Sequence, residues 1–242
     1  MLTIAHFNWP LYLAAFVVIL AAGCGTFCVS NVTLRLACGA ALLGAVYFVT
    51  GSLGVSHLIY DRSDLYRWNW LTRALDGSEK HGFILCHSGF DECSQMLREK
   101  FTDAEWQVLD HYDEARMTEP SIHRARRLFP PTPGTVAAAC DAWPVLAGSA
   151  DVVFGILAIH ELRTEAERVA WFAEARRCLR AGGRVVIVEH LRDAANCLAF
   201  GPGFLHFHSR RTWQRAWSGA GLRLRDEFRV TPWVQVFILT AP

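Results

Sequence analysis

Polar side chains follow each of five apolar segments in the second part of the chain. In chain order they are His87-Ser88-Gly89, Asp110-His111, Asp141-Ala142, His160-Glu161 and Glu189-His190. The apolar segments have the character of buried parallel strands, and ligands of open parallel sheets bind outside the carboxyl ends of the strands. We therefore expect these residues to gather around one ligand site.

The two aspartates suit a nucleoside. Asp110 follows the turn at Gly89 by about 20 residues, where a carboxylate can accept hydrogen bonds from both hydroxyls of a ribose. Asp141 ends the next segment, from which it can reach an adenine amino group. Gly89 allows the backbone to approach a ligand closely. Each aspartate can instead cap a turn, and Gly89 can be an ordinary turn glycine.

Two histidines are candidates for proton transfer. His160 follows the fourth segment and His190 ends the fifth. A neutral imidazole accepts a proton near pH 7, so either residue can act as general base for a hydroxyl, phenol or amine. Either can instead be an ordinary polar residue at a strand end. His206 and His208 alternate as in an extended segment, which is consistent with a substrate lid.

Strand-like and helix-like segments alternate from residue 61 to residue 242. Predicted strands cover 82–86, 105–113, 134–141, 150–162 and 183–190, with a closing pair at 222–230 and 233–240. Predicted helices cover 64–75, 91–101, 118–129, 165–180 and 210–221, and the Gly182–Gly183 turn stops the fourth of them. This pattern predicts an α/β fold with a doubly wound, mostly parallel, seven-stranded sheet.

The first 60 residues contain a single charged side chain, Arg35. The charge-free runs on either side of it are each long enough, as helices, to cross a hydrocarbon core of ~30 Å. They predict a two-helix transmembrane hairpin over residues 1–60, followed by a separate domain over 61–242. Two alternatives are a cleaved signal peptide, which would have a basic start, and buried helices of a soluble domain, which would have a polar face.

The charges and cysteines of the sequence indicate where the protein is located and which partners it binds. Arg62, Arg67 and Arg73 follow the second apolar run, so the positive-inside rule predicts an integral protein of the inner or cytoplasmic membrane with its domain on the cytoplasmic side. The eight cysteines have no metal-ligand spacing, which favours reduced thiols and predicts no metal site. A net charge of +1 argues against a nucleic-acid partner.

One long run resembles the central motifs of class I S-adenosylmethionine-dependent methyltransferases. It reads CDAWPVLAGSADVVFGILAIHELRTEAERVAWFAEARRCLRAGGRVVIVEH. The shared features are an Asp-Ala pair, a Pro, Asp151 at the start of the fourth strand, an Ala-Arg-Arg-x-Leu helix end and a Gly-Gly turn. The resemblance extends over residues 61–242, and it implies a Rossmann-like methyltransferase fold with S-adenosylmethionine as cofactor.

The resemblance implies that Gly89, Asp110, Asp141 and Ala142 bind the cofactor, and that His160 lines the reaction centre. The prediction also includes the neighbouring residues His87 and His111, and Tyr60 at the junction with the hairpin. The predicted cofactor-binding residues are Tyr60, His87, Gly89, Asp110, His111, Asp141 and Ala142, and the predicted catalytic residues are His160 and His190.

The cofactor loop differs from the family pattern. Where the family has two or three glycines, this chain has His87 and Ser88 and keeps only Gly89. S-adenosylmethionine has no pyrophosphate, so its loop does not need to cradle a phosphate group. We interpret the loop as a working variant, and a loop that has lost the cofactor is the alternative.

A hairpin that leads directly into the cofactor domain predicts a substrate in the membrane. We expect in-line methyl transfer to a lipophilic small molecule, such as a quinone, a lipid-linked aromatic compound or a phospholipid head group. The predicted partners are this substrate and membrane lipids. One alternative is a non-catalytic, membrane-tethered partner protein of a biosynthetic complex. Another is a methyltransferase for a thiol or metalloid, with Cys86, Cys93 or Cys140 near the pocket.

Overall fold

The computed structural model describes residues 2–76 and 81–242 of the chain. Its first part is a helical hairpin. A short helix, α1 (Leu2–Phe7), precedes the long helices α2 (Trp9–Cys28) and α3 (Val32–Ser56). Both long helices have the length and apolar composition needed to cross a membrane. The sequence did not predict α1 as a separate helix.

The two long helices pack against each other along their length. A Cβ atom on Gly25 would lie 2.5 Å from Sγ of Cys38, so glycine is what allows the helices to approach at this point. Near the other end, the Tyr12 hydroxyl lies 3.4 Å from Oγ of Ser52. Asn31 caps α3, because its Oδ1 accepts a hydrogen bond from the Leu34 amide.

A seven-stranded sheet forms the centre of the second part. Its strands are β1 (Gly82–His87), β2 (Glu105–Asp110), β3 (Thr135–Ala137), β4 (Ala150–Ile156), β5 (Leu179–His190), β6 (Arg223–Thr231) and β7 (Val234–Thr240). The order is β3-β2-β1-β4-β5-β7-β6. The first five strands are parallel, and β7 runs antiparallel to both of its neighbours. The predicted fold class is therefore confirmed.

Helices and apolar clusters cover both faces of the sheet. The helices of this part are α4 (Leu71–Leu75), α5 (Ser94–Lys100), α6 (Pro120–Leu128), α7 (Glu165–Cys178), α8 (Ala194–Phe200) and α9 (Arg210–Gly219). One face is filled by a cluster that contains Trp171 and Trp213. The other is filled by a cluster that contains Phe83 and Phe154. This double coverage explains why the middle strands are apolar on both sides.

Several strands end earlier than predicted. β2 ends at Asp110, and β3 spans only Thr135–Ala137 at the sheet edge before the chain enters a turn. β4 ends at Ile156, because Leu157 adopts a left-handed conformation with φ of 51°. Beyond these ends the hydrophobic sequence pattern continues for a few residues, but the backbone no longer belongs to a strand. At the next junction α7 ends at Cys178, before the predicted Gly-Gly stop, and β5 begins at once.

The hairpin contacts the sheet domain directly. Arg124 donates a hydrogen bond to the Phe7 carbonyl at 2.6 Å, and Tyr47 donates one to the Leu198 carbonyl at 2.8 Å. A single π-helical segment, His57–Arg62, continues α3 into the domain. The predicted boundary between residues 60 and 61 stays a prediction, since the backbone crosses it inside this segment.

Candidate active site

A cavity of about 600 Å³ lies where the carboxyl ends of β1, β4 and β5 meet the hairpin. This volume is within the range of small-molecule binding sites. The domain contributes Ser88, His160 and His190 to its wall. The hairpin and the segment that follows it contribute Phe7, Asn8, Leu11, Tyr12, Phe48, Ser52, Ser56 and Tyr60. The site is thus shared between the two parts of the chain.

Gly89 and Asp110, predicted to act together, are in direct contact. Asp110 is buried, and its Oδ1 accepts hydrogen bonds from the amides of Gly89 and Tyr112, both at 3.0 Å. Its Oδ2 accepts a hydrogen bond from Arg126. Gly89 has φ of 91°, and a Cβ atom there would lie 2.7 Å from the Tyr112 ring. Both the backbone conformation and the space therefore require glycine.

Unsatisfied polar atoms surround this contact. Within the described part of the chain, both ring nitrogens of His87, Oγ of Ser88 and Nε2 of His111 are buried without a hydrogen-bond partner, although Nδ1 of His87 lies 3.4 Å from Oδ1 of Asp110. His111 donates from Nδ1 to the Ala138 carbonyl at 2.8 Å. Buried polar groups are nearly always hydrogen-bonded in folded proteins. Their concentration at the ends of β1 and β2 is what a polar ligand would satisfy.

The structure does not bring Asp141 and Ala142 to the ends of β1 and β2, where Gly89 and Asp110 lie. Both residues are exposed in a tight turn after β3, between Ala139 and Trp143. The prediction that Asp141 ends a strand is wrong, since β3 ends four residues earlier. Of all the predicted cofactor-binding residues, all of which the structure describes, Tyr60 alone lines the cavity.

His190 is neutral, and both of its ring nitrogens have a hydrogen-bond partner. Its Nδ1 lies 3.0 Å from the Trp233 carbonyl and must carry the hydrogen. Its Nε2 lies 3.0 Å from the Tyr60 hydroxyl, which therefore donates to it. Burial lowers the pKa of His190 to about 4, against the opposing effects of the Trp233 carbonyl and Glu189. At this pKa the ring is a weaker base than the prediction assumed.

His160 is charged at neutral pH. Its Nδ1 lies 2.7 Å from Oε2 of the buried Glu189, whose Oε1 accepts hydrogen bonds from the amides of Ile159 and His160. Burial favours the neutral ring, but the charge and the hydrogen bond of Glu189 outweigh it and raise the pKa of His160 to about 9. The prediction of a neutral imidazole near pH 7 is wrong for this residue, because the buried carboxylate stabilises the imidazolium ion.

Glu92 and Glu119 were not predicted at this site, and His206 was considered only as part of a substrate lid. His206 was expected in an extended segment, but it ends the 3₁₀ helix Gly201–His206 and lines the cavity. Its Nε2 lies 3.3 Å from Oε1 of Glu161. Glu92 and Glu119 line the same cavity. In the sequence, the alternation of His206 and His208 was the signal that could have indicated a role for His206 at this site. The three cysteines considered for a soft acceptor are buried and lie outside the cavity wall.

The buried His111 gives a prediction for acid stability. Desolvation lowers the pKa of His111 to about 4, although the Ala138 carbonyl and Asp110 favour its charged form and His87 opposes it. The unfolded chain, with a pKa of about 6.5, binds this proton first. The free energy of unfolding should therefore fall as the pH drops from 6.5 towards 4, with at most about 3 kcal/mol due to His111.

Urea unfolding of the wild type and of His111→Gln at pH 7.5, 6 and 5 measures this contribution. The glutamine variant should have a flatter dependence on pH than the wild type. Equal slopes for the two proteins would show that His111 is protonated equally in the folded and unfolded chains.

Comparison with known proteins agrees with this geometry. Residues 107–187, from β2 into β5, match the family profile of the methyltransferase domain. Over this stretch the chain is similar to methyltransferases, and together with the fold the match supports a class I S-adenosylmethionine-dependent methyltransferase. The methyltransferase has no sequence match among curated proteins.

Solved structures share the fold of this methyltransferase at low sequence identity. An S-adenosylmethionine-dependent methyltransferase from Aquifex aeolicus is 13% identical, with a TM-score of 0.53, over 76% of this chain and 92% of that one. The pyocyanin biosynthetic protein PhzM is 12% identical, with a TM-score of 0.51, over 91% of this chain and 61% of that one. These similarities concern the fold alone.

The residues at the ends of β1 and β2 fit the cofactor of this family. The unsatisfied atoms of His87, Ser88 and His111 offer a polar ligand both donors and acceptors. The Asp110 carboxylate is engaged by Arg126, whose side chain is 26% exposed and lies over the Tyr112 ring. Because the Arg126 side chain reaches the surface, a ribose that replaced it at Oδ2 of Asp110 would leave the guanidinium in contact with solvent.

Proposed function

We propose that this methyltransferase is anchored in a membrane by its hairpin and methylates a lipophilic small molecule. The observation that carries this proposal is the composition of the cavity wall, which the hairpin and the domain build together. An anchor serving only to hold the enzyme at a surface would not need to enter the active site. A hairpin that forms one wall of the cavity suits a substrate that arrives along it.

The path along the hairpin supports the same substrate class. Phe48, Ser52 and Ser56 lie on one side of α3, at four-residue spacing, and all three line the cavity. Leu11 and Tyr12 of α2 face them across the hairpin. The cavity therefore extends from the ends of the strands to apolar positions within both candidate membrane spans, where a lipid-soluble molecule would enter.

S-adenosylmethionine, when bound, supplies a positively charged sulfonium with a transferable methyl group. Ser88 and Gly89 would contact its methionine part, and Asp110 and His111 its adenosine part. Glu92, Glu119 and Glu161 are acidic residues of the cavity wall. Their charges favour a cationic ligand in a site that is partly shielded from water.

The methyl acceptor would be oriented by Tyr60. The hydrogen of the Tyr60 hydroxyl is held by Nε2 of His190, which leaves the phenol oxygen able to accept a hydrogen bond. An acceptor hydroxyl that donates to this oxygen is fixed in direction, and on methyl transfer its proton would pass to the Tyr60 oxygen while the Tyr60 proton passes to Nε2 of His190. Phe200 and Phe207, which pack around His190 and line the cavity, exclude water from the same region.

Methyl transfer to lipids tests the proposal. The full-length protein in lipid nanodiscs is supplied with S-adenosylmethionine that carries a radiolabelled methyl group and with a lipid extract of the cells that produce it. We expect label in the organic phase that depends on the enzyme. Label confined to water-soluble acceptors would contradict the lipophilic substrate class while leaving the methyltransferase activity intact.

A further inference from the structure

Two imidazoles and one carboxylate meet at the edge of the cavity. Nε2 of His160 lies 3.6 Å from Oε1 of Glu161, and Nε2 of His206 lies 3.3 Å from the same oxygen. The three ligand atoms lie within 4.8 Å of one another. A tetrahedral ion that binds nitrogen and oxygen at about 2.0–2.1 Å holds its ligand atoms about 3.4 Å apart. The observed spacing is close to that of a coordination sphere.

We propose that His160, Glu161 and His206 bind one divalent transition-metal ion. Two imidazole nitrogens and one carboxylate oxygen form a ligand set that suits Zn²⁺, and Co²⁺ binds the same donors. Three protein ligands leave at least one position of the ion open. All three residues line the cavity, so this open position faces the space proposed for the substrate.

The carboxylate of Glu161 independently favours a cation as ligand. Its side chain is 8% exposed, and within the described residues its second oxygen, Oε2, has no hydrogen-bond partner. A buried carboxylate oxygen without a donor is unfavourable, because it has lost water without gaining a replacement. An ion bound beside Oε1 would compensate the charge of the whole carboxylate group.

The His160 ring is oriented by a buried carboxylate so that it presents Nε2. Glu189 accepts a hydrogen bond from Nδ1 of His160 at 2.7 Å and is itself completely buried. Glu119 lies 3.5 Å from Nδ1 of His206. Metal-bound histidines usually donate their other ring nitrogen to a carboxylate or carbonyl, which fixes the ring. The contact at His160 has this geometry. At His206 the Arg163 guanidinium also lies 3.4 Å from Nδ1, so Nε2 of His206 becomes a ligand when the ring carries its hydrogen on Nδ1, towards Glu119.

The charges around the cluster accommodate an ion. Arg163 is the nearby cation, and its guanidinium donates to the carbonyl oxygens of His160 and His206 at 3.1 and 2.8 Å. Glu119, Glu161 and Glu189 surround the same two rings, so carboxylates outnumber guanidinium groups. In the absence of a metal ion, a proton on an imidazole is the competing occupant, and the experiment below separates the two.

An ion at this position would give the cavity a fixed point for an oxygen-bearing acceptor. An alcohol, phenol or carbonyl oxygen can complete the coordination of the ion. This consequence rests on the proposed function, whereas metal binding does not. The two ideas can therefore fail separately.

Metal binding by the tag-free, full-length protein in detergent tests the proposal. The protein is stripped with a chelator, exchanged into chelator-free buffer and titrated with Co²⁺ alone, then with Zn²⁺ alone. We expect one ion per chain after gel filtration, measured by elemental analysis, and visible Co²⁺ absorption bands. Glu161→Gln and His206→Asn should each weaken binding at least about tenfold, in line with the loss of one ligand.

The control variant is His123→Asn, which alters a half-buried histidine outside the cluster and should bind the ion like the wild type. Thermal unfolding with and without Zn²⁺ identifies any variant that fails to fold. A wild-type protein that retains no metal above the background overturns the proposal, whatever the variants do. Unchanged affinity in folded Glu161→Gln and His206→Asn would overturn it as well.

Discussion

Asp110→Asn should weaken binding of S-adenosylmethionine about tenfold to a hundredfold, whereas Arg126→Ala should strengthen it. The asparagine keeps an oxygen for the amides of Gly89 and Tyr112, so the cofactor loop retains its shape. It loses the charge that favours hydrogen bonds from a ribose, and a charge-assisted hydrogen bond contributes about 1.5–3 kcal/mol. In Arg126→Ala the carboxylate loses the guanidinium that competes for Oδ2.

Equilibrium titration of the purified protein with S-adenosylmethionine measures both effects. Arg127→Ala is the matched control, because Arg127 is the exposed neighbour of Arg126 on α6 and donates only a local hydrogen bond to the His123 carbonyl. Opposite shifts for the two variants would establish Asp110 as the ribose carboxylate. Weaker binding in both variants would instead mean that the Asp110–Arg126 pair supports the loop and that Arg126 does not compete with the cofactor.

The fold class could be predicted because its information is local. Apolar strands, amphipathic helices and the glycines between them are each visible within about ten residues, and the alternation of these segments indicates a doubly wound sheet. The contact of Gly89 with Asp110 followed from the same pattern, since neighbouring parallel strands end at one edge. The hairpin was equally clear, because charges are nearly absent from it.

The contacts across long stretches of chain could not be predicted. His206 meets Glu161 from 45 residues away, after a 3₁₀ helix that the alternation of His206 and His208 did not indicate. The charge of His160 depends on Glu189, which arrives from the neighbouring strand β5. The error for Asp141 has a local cause. The apolar sequence pattern continues beyond Ala137, the last residue that pairs with β2, so the predicted strand was too long.

The cavity itself explains why a prediction based on the domain alone was incomplete. The family match covers residues 107–187, and the resemblance predicted a site at the ends of the strands. The structure adds a wall from outside this region, with Tyr60 and the hairpin residues around it. A covering element of this kind has no counterpart in the shared motifs, so its effect on substrate choice must be measured in this protein.

Ser52→Trp should reduce methyl transfer to a lipophilic acceptor about tenfold or more while leaving the binding of S-adenosylmethionine unchanged. Ser52 is buried in α3, lines the cavity and lies beside Tyr12 across the hairpin. An indole at this position occupies the route by which we propose the acceptor enters. The ends of β1 and β2, where the cofactor is expected, are formed by other residues, and a tenfold change corresponds to about 1.4 kcal/mol in the barrier.

Leu43→Trp provides the matched control for this experiment. Leu43 lies on the same helix and is 72% exposed, so a tryptophan there faces outward and should leave turnover unchanged. Initial rates are compared in nanodiscs at several acceptor concentrations, with cofactor binding measured in the same samples as a check of folding. If Ser52→Trp retains the wild-type rate with a lipophilic acceptor, entry along the hairpin is excluded. A selective loss with Ser52→Trp would make the hairpin part of substrate recognition.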